Sequence, residues 1–498
     1  MKKLVTAALL AAWALTASPT PASAGDEPMP WKDEAELASW LDAACTAVEA
    51  DTGETFAARP TLRISDRGTI REILLAELKD FDERAVTPQA AEESANMLSG
   101  ALMAKYAPDA NVVHVQPDAI RLVGRMQPSK GHLEADHVRV LLLHEATHAL
   151  DFTTHQLHAR MKACTSASEL QAVGAISEGH AQFVAWRVSK TLDREAAFNR
   201  VTYGITGEPE DATPVMRMAM AAVLAAFRFP YEQGLAFFKA VFAAQGLDGV
   251  RAALAEPPSD PAWVEEPERW LDPSKRATSI DAAAIIGSAA GLFSGEHWKP
   301  TQAAVLRAQI ASQAGRLPEE RRAGFLTGFD SGAALVAQQD GVAGQAILLA
   351  LGFATLEDAE RYEADGRALL DGSKDLIEAM GLTFEERERV EGIGPEGAWP
   401  GVYAERAIGQ GAFQQLIRVM SMRRGRVVFE LVSMNVAAVD RAVLDRALIR
   451  LVAAIDAPEE AAKLPALAPI SVPTEEGPEE DTEDVPGDEE PEPAGADR

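Results

Sequence analysis

The stretch Leu142-Leu143-His144-Glu145-Ala146-Thr147-His148-Ala149-Leu150 decides how the chain is read. Apolar residues recur at helical spacing from Val138 to Leu150, which predicts a helix over that range. Helix positions four apart share a face, with Cβ atoms about 5–6 Å apart, so His144 and His148 can offer their imidazoles to one metal ion. Leu142, Leu143, Ala146 and Leu150 fall on the side away from the histidines and would hold the helix in a core. Zinc suits such a pair. It accepts neutral imidazole nitrogen and carboxylate oxygen, and a catalytic site keeps three protein ligands with a fourth position open for water. Glu145, beside the first histidine, can reach that water rather than the metal and is the natural general base. A His-Glu-x-x-His pattern arises by chance in roughly one chain in a hundred of this length, so chance is a poor account of it. The competing reading is a hydrogen-bonded histidine pair on a buried helix.

A third ligand decides the class of site. Continuation as His-x-x-Gly-x-x-His would need glycine where Asp151 stands and histidine where Thr154 stands, and neither is present. His155 and His158 are near but out of register for that turn. Ser177-Glu178-Gly179-His180-Ala181 offers a better candidate: Glu178 sits on a following helix, with small neighbours that permit close helix packing. Its carboxylate would complete a set of two histidines and one glutamate; otherwise Glu178 is a salt-bridging residue. His180 points to another helix face, where it would support a ligand or line the substrate path.

With this helix motif and a later glutamate, the chain resembles the gluzincin metallopeptidases, and His144 to Leu150 looks like the thermolysin-type helix, Thr147 included. The likeness covers approximately residues 30–275, and only the helix motif is highly specific. Pro230-Tyr231-Glu232-Gln233-Gly234 and Pro257-Pro258 are also similar to segments of uncharacterised exported bacterial proteins with a zincin core. The resemblance implies that His144, His148 and Glu178 bind Zn2+ and that Glu145 activates water. It also implies a His or Tyr that stabilises the oxyanion, for which Tyr231 is the candidate; the alternative is an aromatic packed on the next helix. Gln182 departs from the pattern, standing where an aspartate often supports a zinc-binding histidine.

The N-terminus reads as a secretory signal peptide over residues 1–24: Lys2 and Lys3, an apolar run from Leu4 to about Leu15, and small residues at Ala22-Ser23-Ala24. That run is shorter than the ~20 residues needed to span a bilayer, and no later segment is long and charge-free enough, so the expected product is secreted or periplasmic with no transmembrane segment. Export makes Cys45 and Cys164 candidates for one disulfide, a pairing that spacing leaves open, and two cysteines exclude a Cys-rich zinc ribbon. A formal charge of −29 argues against nucleic acid or an anionic membrane as partner. Much of that charge lies beyond Glu475, within an expected disordered acidic tail over residues 457–498.

The 498 residues exceed what one core usually organises. The expected fold class is α+β: a zincin-like, mainly helical catalytic domain with a small mixed sheet (residues 25–300), a smaller α+β domain (residues 301–456), then the tail. Helices are predicted at Glu34–Val48, Gly68–Leu78, Ser166–Ala185, Val215–Phe227, Tyr231–Ala243, Gly246–Leu254, Thr301–Ala314, Leu356–Leu370 and Asp440–Ile455. Strands are predicted at Thr61–Ile64, Asn111–Val115, Ala334–Ala337 and Ala346–Phe353, with a hairpin of Phe413–Met420 and Val427–Val432 turning at Arg423-Arg424-Gly425. The functional expectation is an exported zinc metallopeptidase acting on a peptide or protein substrate. The alternative is an inactive, zinc-stabilised binding or scaffold protein acting through its C-terminal domain.

Overall fold

The computed structural model describes residues 28–461 except 83–85, 87, 126–133, 204–228, 277–279, 294–297, 306, 340–343, 380, 395–396, 411–412 and 436–440. The expected signal segment, the helix expected at Val215–Phe227 and nearly all of the expected acidic tail lie outside the described residues. The chain is a mixed helix-and-sheet protein, helical in its N-terminal part and sheet-rich in its C-terminal part.

The N-terminal part opens with α1 (Glu34–Thr52), whose first turn is capped by the Asp33 carboxylate accepting from Glu36 N–H. Strand β1 (Thr61–Ile64) comes next, then α2 (Arg67–Lys79), β2 (Ala104–Ala107) and β3 (Val112–Val115). The three strands form a small mixed sheet in the order β1-β3-β2, with β1 parallel and β2 antiparallel to β3. Helix α3 (Ala135–Thr154) carries the two motif histidines, and α4 (Ala167–Thr191) carries Glu178. Ser166 Oγ accepts from Glu169 N–H while the Glu169 carboxylate accepts from Thr165 N–H, so both partners of the predicted cap act at the start of α4. A single π-helical turn, Phe229–Gln233, leads into α5 (Gly234–Ala255), which kinks at Gly246 (φ 67°). The two helices expected there are therefore both present, meeting at the non-helical Gly246, and Pro257-Pro258 lies just past the end of the second. Leu142, Leu143, Ala146 and Leu150 are all buried in one core with α1, α4 and α5. Burying each leucine contributes about 1.5–3 kcal/mol, which fixes α3 against its neighbours and leaves its other face for polar groups.

The C-terminal part is a seven-stranded, wholly antiparallel sheet in the order β4-β5-β6-β10-β9-β8-β7. Its strands are β4 (Trp298–Ala304), β5 (Phe329–Gln339), β6 (Gln345–Phe353), β7 (Thr383–Ile393), β8 (Trp399–Gln410), β9 (Phe413–Arg424) and β10 (Val427–Met434). Helix α6 (Leu356–Asp371) comes after β6, and α7 (Arg441–Asp456) after β10. The helix expected at Thr301–Ala314 is corrected: residues to Ala304 pair with β5, and only Arg307–Ala311 is α-helical. Its alanines favour a helix in isolation, but ladder pairing to Ala333–Gln339 overrides that weak preference. Buried apolar residues separate along the chain, one cluster running from Trp31 to Val264 and the others in this part drawn from residues 280–452. No described helix is long and apolar enough to cross a membrane.

Candidate metal centre

Helices α3 and α4 bring three ligand atoms to one point. His144 Nε2 lies 3.0 Å from His148 Nε2 and 3.1 Å from Glu178 Oε2, and His148 Nε2 lies 3.3 Å from the same oxygen. Among the described residues this is the one group of three whose chemistry and spacing can hold a metal ion. Both histidines are buried, while the Glu178 side chain keeps 29% exposure, so the cluster opens toward solvent on the α4 side. Burial alone would raise the Glu178 carboxyl, but the adjacent His148 charge and hydrogen bonds from both imidazoles hold it well below the ordinary carboxylate range. The converse holds for His148: burial pushes it down, and Glu178 more than restores it.

Glu145 stands outside this triangle. Its Oε2 accepts a 2.6 Å hydrogen bond from Tyr106 N–H. That amide belongs to β2, the edge of the small sheet, and points away from β3 toward α3. Lys105, one residue back, ion-pairs with Glu77 at 2.9 Å and donates to the Tyr106 carbonyl at 2.8 Å. Burial would lower its pKa, yet Glu77, Glu145 and Glu178 raise it, so a cation sits within the field of the cluster. Neither Tyr106 nor Lys105 is legible as a site residue, because Ala104-Lys105-Tyr106-Ala107 is too short and too poorly alternating to announce a strand.

Tyr231 reaches the cluster from the π-helical turn. Its ring stacks on His144, with centroids 5.7 Å apart and planes 18° from parallel. Burial first, then the Glu178 and Glu145 charges and a hydrogen bond to Glu178, raise its hydroxyl well above the ordinary phenol range. The close approach is set by glycine: a Cβ on Gly179 would overlap the backbone of Gly234, and one on Gly234 would overlap the Ala175 carbonyl oxygen. These contacts press the start of α5 onto α4 within a few residues of both Glu178 and Tyr231.

The surrounding histidines have other partners. His148 Nδ1 is 3.3 Å from Ser177 Oγ, a support invisible in the sequence because serine on a helix carries no signal of its own. His144 Nδ1 is buried with no hydrogen-bond partner among the described residues. Gln182 does not supply one, since its Oε1 accepts from Thr202. His180 is not brought to the ligands: its Nδ1 lies 2.7 Å from Asp151, and its ring packs against Phe238. His155 pairs with Glu54 at 3.0 Å, and His158 stacks on Phe152. Cys45 and Cys164 are both free and buried, each thiol pushed up to about 12 by burial, and neither adjoins the cluster's ligands. Compared with protein-family models, curated proteins and solved structures, the chain has no match in any of the three.

Proposed function

We propose that the chain is a zinc-dependent metallopeptidase of the gluzincin type, with His144, His148 and Glu178 as ligands and Glu145 as general base. The observation that carries the proposal is the triangle of ligand atoms, with edges of 3.0, 3.1 and 3.3 Å. Tetrahedral zinc sits about 2.0–2.2 Å from such ligands, which requires them to stand about 3.3 Å apart. The donor set therefore fits zinc with little movement, and three protein ligands leave a fourth position. Zinc held there would polarise a substrate carbonyl and lower the pKa of a water toward about 7.

The chain's own residues then divide the work. Glu145 takes the water's proton and returns it to the leaving amine. Tyr106 N–H holds one oxygen of that carboxylate and so restrains its rotation. Tyr231 donates from its hydroxyl to the oxygen on which charge develops. The signal-like residues 1–24 extend the proposal to an exported protein, periplasmic or secreted.

The test combines metal analysis with mass-spectrometric readout of a mixed peptide library. Wild type should hold one zinc and cleave; Glu145→Gln should hold zinc and lose about 10²–10⁴ in rate; His144→Ala and Glu178→Ala should lose zinc. Equal zinc in all four proteins overturns the ligand set. Zinc retained with no cleavage by wild type supports the binding-protein alternative instead.

A further inference from the structure

The C-terminal part carries a cleft of about 950 Å³ that the proposed activity does not use. It opens between the short helix Ala282–Gly287, the β9–β10 turn and the end of α7. Its apolar lining includes Ile280, Ala284, Ile285, Val427, Ile455 and Pro458. Arg424, Arg426 and Arg450 also line it, against Asp281 and Asp456. Arg424 is tied to Asp456, and Arg426 donates to the Ala354 carbonyl, so these cations are held in place rather than swinging free.

The described chain ends at this cleft. Helix α7 closes at Asp456, and the last described turn, Pro458–Ala461, starts on a residue of the cleft wall. Two segments of different character come next in the sequence. Leu464-Pro465-Ala466-Leu467-Ala468-Pro469-Ile470-Ser471-Val472-Pro473 is apolar and has no acidic residue; the acidic run begins only at Glu475. Leu464, Leu467 and Ile470 recur every third position among prolines that bar a helix. Polyproline II has three residues per turn, so in that conformation the three apolar side chains share one face. A solvating tail has no need of such a face. From Pro458 to Leu464 the chain can extend at most about 20 Å, which keeps the segment beside the cleft. Beyond it, the acidic run would lie in the field of the cleft's arginines.

We propose that residues 464–473 dock as an extended, polyproline-type segment in this cleft of the same chain, with Leu464, Leu467 and Ile470 against its apolar wall. The docked segment covers the hydrophobic lining and anchors the acidic run next to α7, and it is recognised by the same physics as proline-rich ligands in apolar grooves. It narrows the expected disordered tail to the part beyond Pro473.

Hydrogen–deuterium exchange on the full-length protein tests this. Wild type should protect amides within residues 464–472 by about tenfold over a free chain. The Leu464→Ser/Leu467→Ser/Ile470→Ser variant should lose that protection and speed exchange in Ala282–Gly287 and the last turn of α7. Ala284 is an exposed residue of the cleft wall, so Ala284→Lys should keep the fold and abolish the protection from the other side. Free-chain exchange over 464–472 in wild type overturns the proposal. So does protection that disappears on dilution, which would assign the cleft's occupant to a second copy of the chain.

Discussion

Tyr231 stands in two relations that substitution can separate: its ring lies against His144, and its hydroxyl faces Glu178. His144 has no acceptor for its Nδ1 among the described residues, so the stacked ring helps to orient it beside the contacts of its Nε2 with Glu178 and His148. Tyr231→Phe keeps the ring and should keep the metal while lowering kcat by about 10²–10³, the usual cost of one oxyanion donor. Tyr231→Ala should also weaken zinc binding about tenfold, as loss of a group that orients a ligand does, which a chelator competition titration reads directly. A second residue-scale prediction concerns His155 and Glu54. Burial would lower the imidazole, but the Glu54 hydrogen bond and the Asp151 and Glu54 charges raise it above its ordinary 6.5. The His155 hydrogen bond lowers Glu54 below its ordinary 4.5 against the opposing effect of burial. A raised histidine stabilises fully below its unfolded value and loses that as pH rises through its folded one. A lowered carboxylate stabilises above its unfolded value and loses that as pH falls through its folded one. The pair therefore contributes most between pH 4.5 and 6.5. Denaturant midpoints of His155→Ala and wild type should differ most in that window and converge on both sides; a constant gap from pH 4 to 9 would refute it. Residues at this scale were legible in the sequence where spacing carries chemistry, as in His144, Glu145 and His148. Ser177 and Tyr106 were not, because one acts through a lone hydroxyl and the other through a backbone amide.

Among elements, the contact of α4 with the start of α5 governs the candidate metal centre. Replacing glycine by alanine within a helix usually gains up to about 1 kcal/mol in propensity. At Gly179 the new methyl would collide with the backbone of Gly234, which cannot rotate aside as a side chain can. Overpacking of that kind costs about 1–3 kcal/mol, so the loss outweighs the gain. Gly179→Ala should lower the unfolding midpoint and, by pushing α5 and Tyr231 away from Glu178, reduce zinc affinity; a more stable variant with unchanged affinity would contradict the packing argument. Sequence signals for elements succeeded where caps and periodicity agreed, as at Ser166 and Glu169 for α4 and Gly425 (φ 57°) for the β9–β10 hairpin. They failed at β7, whose Thr383-Phe384-Glu385-Glu386-Arg387-Glu388-Arg389 is charged because it is a solvent-facing edge. Charges that keep an edge from pairing with another chain also hide it from a search for apolar alternation.

For the whole molecule, the separate cores decide how metal binding reaches stability. Polar contacts between the two parts include Ala304 N–H to Ser168 Oγ at 2.6 Å, Arg307 N–H to Glu265 at 3.0 Å, and Arg269 to the Asp330 carbonyl at 3.4 Å. Because the buried apolar clusters of the two parts separate along the chain, heating should give two transitions. All three proposed ligands lie in the N-terminal core region, and metal binding stabilises only the unit that forms the site. At free zinc one hundred times Kd that is about 2.7 kcal/mol, or about 5–10 °C for a unit of this size. Removing zinc with a chelator should lower one calorimetric transition by that amount and leave the other in place. Glu178→Ala, which cannot hold the ion, should show the lower value with or without chelator, while keeping the second transition. If both transitions moved together in wild type, the seven-stranded sheet would have to be energetically part of the metal site, and the division of labour argued from the two cores would fall.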